Sequence, residues 1–311
     1  MLLIDRSILT EKLSGILDLK NVFLDEPLSG HTSFRIGGPA AFYVIAENLT
    51  ELKEIISVCK EMNIKWYILG NGTNVLAPDD GYDGVVIRLG GKFNEISIEE
   101  DINDGTALIT AGAGVSMAAL SVYALKKGFT GLEFAHGIPG SLGGGIYMNA
   151  GAYGAEIKNC LFSAKALTHD GHLEEYTKEE LKLGYRTSRF VGSDEIILDG
   201  AFRLMVYPRI PIRTMMEEYK KRRIEKQPLE LPSAGSTFKR PEGNFAGKLI
   251  EEAGLKGFKI GGAMVSEKHA GFIVNTGNAT AADVEALIEA VRQKVYENSG
   301  VMLEPEVKIM R

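Results

Sequence analysis

The chain has 311 residues, 45% of them hydrophobic and 24% charged, with a formal net charge of −6. This composition excludes disorder, and the acidic balance excludes a generic nucleic-acid binder, which needs a basic surface to meet phosphates. No apolar run approaches the roughly 20 residues that span a bilayer, the start Met1–Arg6 is too soon charged for a secretory signal, and two distant cysteines, Cys59 and Cys160, make neither a zinc site nor a disulfide framework, which points to a reducing cytoplasm.

Thr50 is the expected cap of an early helix on which Leu52, Ile55, Ile56 and Cys59 recur at i, i+3, i+4 and i+7. Cys59 then reads as a small core residue and not a reactive thiol. The apolar run Trp66–Leu69 predicts a buried strand that enters Gly70-Asn71-Gly72-Thr73-Asn74 directly, and Val85–Leu89 predicts another. Ile96 and Ile98 alternate with polar residues, Asp104-Gly105 is a turn pair, and Ala107–Thr110 resumes the strand, so a hairpin is expected. Ser116 caps a helix through Met117, Leu120 and Ala124, stopped by Gly128. A glycine-dense segment fills 131–154, and strands are expected at Phe162–Thr168 and Glu195–Arg203.

The composition shifts at Pro208 and Pro211. A charged helix is expected over 213–226, then a loop over 228–243. A short helix from Asn244 has Phe245, Leu249 and Ala253 on one face. Thr280–Asp283 resembles a capping box ahead of Val284, Leu287, Ile288, Val291 and Val295, and Gly300 closes that helix. The terminal strand Leu303–Met310 turns Leu303, Val307 and Ile309 one way and Glu304, Glu306 and Lys308 the other. Helices and strands in this order, with hairpins, predict an α+β fold.

Three glycine-rich loops could carry chemistry: Ser33–Gly38, Gly70–Asn74 and Gly137–Gly145. Glycine admits positive φ and removes Cβ, so consecutive N–H groups can close on an anion. Each loop alone reads as a tight turn. Three of them in the first half of the chain, one leaving an apolar strand directly, point to a dinucleotide. The spacing matches neither G-x-G-x-x-G nor a P-loop. The histidines show no metal-ligand spacing, and His169 and His172 flank a hairpin tip at Asp170-Gly171, so no metal is expected. Arg209–Lys226 carries seven Lys/Arg against three Glu. That run is either a solvated helix face or an anchor for an anionic group such as a diphosphate. Gly184–Ser188, Ser233–Lys239 and Glu306 place polar residues in unusual company, although each alone reads as a surface arginine, an ST-turn and an edge carboxylate.

Together these segments resemble the UDP-N-acetylenolpyruvoylglucosamine reductase family. The resemblance runs from about Ser29 to Lys308 through Thr32–Pro39, Gly70–Leu76, Gly137–Gly154, Gly184–Phe190, Ser233–Pro241, Glu267–Asn275 and Leu303–Val307. Asn71 stands where the family usually has glycine, and Asn tolerates positive φ better than most residues. The compact third module resembles the family's shorter subclass. The resemblance implies a two-part FAD-binding fold of the vanillyl-alcohol oxidase and p-cresol methylhydroxylase type over 1–90 and 91–212, with a substrate-binding module over 213–302. The strand 303–311 is free to return to the FAD domain.

The same resemblance implies a dissociable FAD, with NADPH as co-substrate. Asn71, Gly72, Thr73, Asn74 and Val75 would wrap the pyrophosphate, and Arg35, Gly140, Ser141 and Asn149 would add contacts. Gly70, Gly137, Ile138, Pro139, Gly143, Gly144 and Gly151 complete the expected cofactor set. Arg186 and Glu306 would stabilise an enolate, Ser236 would protonate it, and Tyr185 would orient the substrate. Arg222, Lys226, Lys239, His269 and Asn275 are the other substrate candidates. The expectation is a cytoplasmic monomer acting on a small molecule in peptidoglycan precursor synthesis, with no nucleic-acid or membrane partner. Two rivals are a flavin oxidase or dehydrogenase on the same fold and a non-catalytic UDP-sugar sensor.

Overall fold

The computed structural model describes residues 6–101 and 105–311. The turn expected at Asp104 lies outside them. The chain divides into two compact units interleaved in sequence. The first holds the described residues through Phe23, then Tyr43–Gly70 and Val85–Arg222; the second holds Leu24–Phe42, Asn71–Gly84 and Arg223–Arg311.

The first helix, α1 (Arg6–Ile16), buries Leu9 and Leu13 and is followed by β1 (Val22–Pro27) and β2 (Pro39–Ala46). Next, α2 (Leu49–Glu61) packs on α1 and buries Leu52, Ile55, Ile56 and Cys59, the expected face. Its cap is Asn48, not Thr50: the Asn48 side chain accepts the Glu51 N–H at 3.1 Å, and Glu51 reaches back to the Glu47 N–H at 2.7 Å. Asparagine leads threonine at this position, so the helix starts where the stronger cap lies. Strands β3 (Trp66–Ile68), β4 (Val75–Leu76) and β5 (Tyr82–Leu89) follow, and β1, β2, β5 and β3 form a four-stranded sheet in that order with β3 and β5 parallel.

The expected hairpin is present as β6 (Ile96–Asp101) and β7 (Thr106–Gly112). Helix α3 (Met117–Lys127) is capped by Ser116 and ends at Gly128 in the left-handed conformation, then runs into β8 (Phe129–Thr130). Helix α4 (Leu142–Tyr147) precedes a small hairpin, β9 (Gly151–Ala152) with β10 (Ala155–Glu156). Strands β11 (Leu161–Leu167), β12 (Leu173–Thr177) and β13 (Ile196–Val206) complete an antiparallel sheet in the order β12-β11-β13-β7-β6, with β8 pairing to β13. Gly145, within α4, lies close to α3: a Cβ there would sit 2.9 Å from the Met117 sulfur.

The charged helix, α5 (Arg209–Lys226), starts earlier than its composition suggests. Pro211 lies in the first turn, where a helix needs no N–H from it. In the second unit, β14 (Ser233–Ser236), α6 (Ala246–Glu252), β15 (Lys259–Ile260), β16 (Ala263–Val265), β17 (Phe272–Asn275) and α7 (Ala281–Ser299) build a helix-covered antiparallel sheet in the order β14-β17-β16-β15. Phe245 lies outside the core, under the Arg240 guanidinium at 3.8 Å, and Ala246, Leu249 and Ile250 make the buried face of α6. Thr280 and Asp283 form the expected capping box, and Val284, Leu287, Ile288, Val291 and Val295 are all buried. Each such apolar side chain contributes about 1.5–3 kcal/mol over an exposed position.

The Asp79 carboxylate adds bonds from Ala281 and Ala282 N–H at 2.7 and 3.1 Å to the α7 start. The same core takes in Phe34, Ile36 and Leu76 from the first half of the chain. Only Lys308–Ile309, β18, is a regular strand at the C-terminus, pairing in parallel with β4. Pro305 makes an isolated bridge to Phe238, since Pro has no N–H for a continuous ladder.

Candidate active site

The loop Asn71–Leu76 belongs to the second unit. Gly72 has φ +60°, and a Cβ there would overlap the His31 carbonyl oxygen. The Gly72 carbonyl accepts the Ser33 N–H at 3.1 Å, and Ser33 Oγ donates to the Ser233 carbonyl at 2.6 Å. Thr32 Oγ1 donates to the Ile36 carbonyl at 2.8 Å, closing the turn in which Arg35 has φ +54°. The first two glycine loops are therefore stitched together. Among the described residues, the N–H groups of Gly72, Thr73 and Asn74 meet no acceptor of the chain. Consecutive unspent donors at a positive-φ glycine suit a diphosphate, the part of FAD rich in acceptors and poor in donors.

The third glycine loop lies in the first unit and is spent differently. Leu142 N–H donates to Val115 O at 2.7 Å, Gly143 N–H to Ala113 O at 2.9 Å and Gly145 N–H to Ser141 O at 2.8 Å. Ser141 caps α4, accepting from Gly144 N–H at 3.4 Å. Gly143 and Gly144 therefore direct their N–H groups into the protein, and the physical demand on Gly143 is its approach to Ala113. Gly70 is held to the same loop, because a Cβ there would overlap Ser141 Oγ. Gly140 offers its carbonyl to Met117 N–H at 3.0 Å.

His136 stands just before Gly137, Ile138 and Pro139, and its Nδ1 is buried with no hydrogen-bond partner. Burial, and then the positive charge of Lys220, lowers its pKa, so the ring is neutral at pH 7 and keeps one nitrogen unsatisfied. That orphan also suits a bound group. In the sequence, the signal for His136 is its place directly before the third glycine loop.

Asn149 is fully buried at φ +43°, and its amide is committed within the chain. Its Nδ2 donates to Gly184 O at 2.8 Å and Glu156 Oε2 at 2.9 Å, and its Oδ1 accepts Lys158 N–H at 2.9 Å. Its own N–H is spent on Ile146 O at 3.1 Å, so a contact from Asn149 to a cofactor falls to its backbone carbonyl. Tyr185 and Arg186 form the tip of a turn between Gly184 and Thr187, with Arg186 at φ +55°. Arg186 Nη2 donates to Gly151 O at 3.2 Å, and its guanidinium lies 5.2 Å from the Tyr185 ring centre. A stacked pair, Tyr153 and Tyr219, ties the β9–β10 turn to α5 with ring centres 4.3 Å apart.

In the second unit, Ser236 ends β14 just after Gly235 at φ +75°, and its side chain is exposed. Glu306 N–H donates to Thr237 O at 2.8 Å and Lys239 N–H to Glu304 O at 2.8 Å, so the two segments run side by side. Asn74 Nδ2 donates to the Glu306 carbonyl at 3.2 Å. The structure thus gathers Ser236, Glu306 and the Gly72–Asn74 donors into one unit.

The substrate candidates differ in character. Lys239 Nζ is paired with Glu304 at 2.5 Å, and Arg222 is paired with Glu218 one helical turn away. Lys226 ends α5 exposed. Asn275 is buried, donating to Phe34 O at 3.0 Å and accepting from Gly277 and Ala279 N–H. His269 accepts Gly271 N–H on Nδ1 at 3.1 Å, and burial lowers its pKa. Both cysteines are unpaired and buried, and burial pushes each thiol up to about 12. No cluster able to hold a metal ion occurs among the described residues.

A family model described as an FAD binding domain matches residues 40–177, and one described as the C-terminal domain of UDP-N-acetylenolpyruvoylglucosamine reductase matches residues 227–310. Curated reductases of that name are similar over nearly the whole length. The one from Lachnoclostridium phytofermentans is 46% identical over 98% of this chain and 97% of its own. That from Agathobacter rectalis is 49% identical over 92% and 93%. The crystal structure of the reductase from Thermus caldophilus superposes with a TM-score of 0.77 at 35% identity, covering 93% of this chain and 98% of the other. The expected architecture, an FAD-binding fold followed by a C-terminal α+β module, is met. This chain belongs to the UDP-N-acetylenolpyruvoylglucosamine reductase family.

Proposed function

We infer that this chain reduces the enolpyruvyl ether of UDP-N-acetylglucosamine to UDP-N-acetylmuramate, an early step towards peptidoglycan. NADPH is the reductant and FAD a non-covalent cofactor. The observation that carries this reading is the link from the Asn74 side-chain amide to the Glu306 carbonyl and from the Glu306 N–H to the Thr237 carbonyl, which joins diphosphate-suited donors to a serine and a carboxylate. When bound, FAD passes the two electrons of NADPH to the substrate's double bond.

Reduction at the vinyl carbon drives charge onto the neighbouring carboxylate as an enolate. Arg186 is permanently charged and can grip that carboxylate through two N–H groups. Glu306 assists when protonated or paired with a cation, because an ionised carboxylate would repel the charge it faces. Ser236 Oγ–H gives its proton to the carbon bearing the carboxylate, which completes the lactyl ether. Serine is a weak acid and suits a basic, carbanion-like centre. Tyr185 orients the substrate, and the basic residues of 220–226 together with Lys239 are the candidates for its diphosphate. Two buried, unpaired thiols fit a reducing cytoplasm, and no helix among the described residues is long and apolar enough to cross a membrane. The protein acts as a monomer in this reading.

Purified protein tests it. A yellow sample that bleaches with NADPH and regains colour with the enolpyruvyl substrate supports the reductase. Oxygen uptake without that substrate would select an oxidase, and UDP-sugar binding without bleaching would select a sensor.

A further inference from the structure

Arg186 occupies a backbone conformation that arginine rarely adopts. It is the second of two tip residues between Gly184 and Thr187, with φ +55°, where a turn ordinarily carries Gly or Asn. Such a strained residue persists only where its surroundings over-determine it. The structure shows what does so. Asn149 Nδ2 holds the Gly184 carbonyl at 2.8 Å on one side of the tip, and Ser188 Oγ holds the Tyr147 carbonyl at 2.8 Å on the other. The guanidinium is tied to Gly151 O.

Glu156 stands behind both ends of this arrangement. Its Oε2 accepts the second Asn149 N–H at 2.9 Å, and its backbone pairs with Gly151, whose carbonyl receives Arg186. Lys158 Nζ balances the carboxylate at 2.5 Å. Asn149 uses two donors and one acceptor at once, which aspartate cannot reproduce. We propose that Asn149 is the positioning residue for Arg186, with Glu156 holding its amide in register. The proposal rests on Arg186 being the group that grips the substrate carboxylate.

The test is titration calorimetry on the FAD-loaded protein with two ligands: UDP-N-acetylmuramate, which carries the carboxylate, and UDP-N-acetylglucosamine, which lacks it. Asn149→Asp keeps tolerance of positive φ but removes both donors. Glu156→Ala removes the supporting acceptor, and Glu156→Gln keeps it. Asn149→Asp and Glu156→Ala are expected to weaken UDP-N-acetylmuramate binding roughly tenfold or more, as loss of a charge-assisted hydrogen bond does, and to leave UDP-N-acetylglucosamine within about twofold. Glu156→Gln should restore most of the loss. Asn149→Asp combined with Arg186→Ala should bind no more weakly than Arg186→Ala alone, because residues acting through one another are not additive. Equal weakening of both ligands, additive losses, or unchanged affinities would overturn the proposal. Glu156→Ala keeps it open to refutation should Asn149→Asp fail to fold. A parent protein that binds neither ligand defeats the functional reading itself, and the proposal with it.

Discussion

The Glu306 N–H donates to the Thr237 carbonyl at 2.8 Å, placing the neighbour of Ser236 and the late carboxylate on adjoining backbone segments. Residues 69 positions apart therefore share one local frame, which the Asn74 amide joins at the Glu306 carbonyl. Ser236 itself is exposed at the strand end after Gly235, so its hydroxyl can reach a ligand without any change in the strand.

Ser236→Ala is expected to leave bleaching by NADPH close to the parent rate and to slow recolouring by the enolpyruvyl substrate about 10²–10⁴-fold, the range of a lost general acid. Stopped-flow absorbance separates the two halves. A matching loss in both would remove Ser236 from the proton-donor role.

Arg186→Lys conserves charge but gives up the planar two-pronged grip. Turnover should fall on the order of 10²–10³, as when one fixed donor to a developing oxyanion is removed. Steady-state kinetics with the enolpyruvyl substrate decides this, and near-parental turnover would mean that a point charge suffices.

Gly72→Ala meets two obstacles at once: positive φ, and a Cβ that would overlap the His31 carbonyl. Both deform the loop whose N–H groups suit the diphosphate. The variant is expected to purify with little or no yellow colour and to bind added FAD at least tenfold more weakly, as fluorescence quenching would show. A fully flavinated Gly72→Ala protein would refute the assignment of this loop.

The sequence was most legible where local rules govern. The apolar stripe of α2, the Ser116 and Thr280 caps and the Gly128 and Gly300 stops stand where periodicity and capping chemistry put them. The cap lies at Asn48, two residues before Thr50, because asparagine is the stronger cap and Glu51 stands where it can bond back to the Glu47 N–H. The inward commitment of the Leu142 and Gly143 N–H groups was not legible, since it depends on Val115 and Ala113 arriving from the segment between β7 and α3. The pairing of β18 with β4 likewise joins segments more than 200 residues apart and leaves no local signal.

His269 gives the fold a pH-dependent component. Burial, the largest cause, and the charge of Lys256 hold its pKa below the ordinary value, while Nδ1 must stay unprotonated to accept Gly271 N–H at 3.1 Å. The unfolded chain takes up a proton near pH 6.5, and the native state resists it. The stabilisation is therefore fully present above about pH 6.5 and declines as pH falls towards the lower native value. Melting temperature should drop between pH 7 and 5.5. His269→Asn, whose oxygen can replace Nδ1 as acceptor, should flatten that drop, leaving the share due to His136, also lowered by burial. Differential scanning fluorimetry across this range provides the check. A slope identical in parent and variant would show that His269 titrates alike in the folded and unfolded chain.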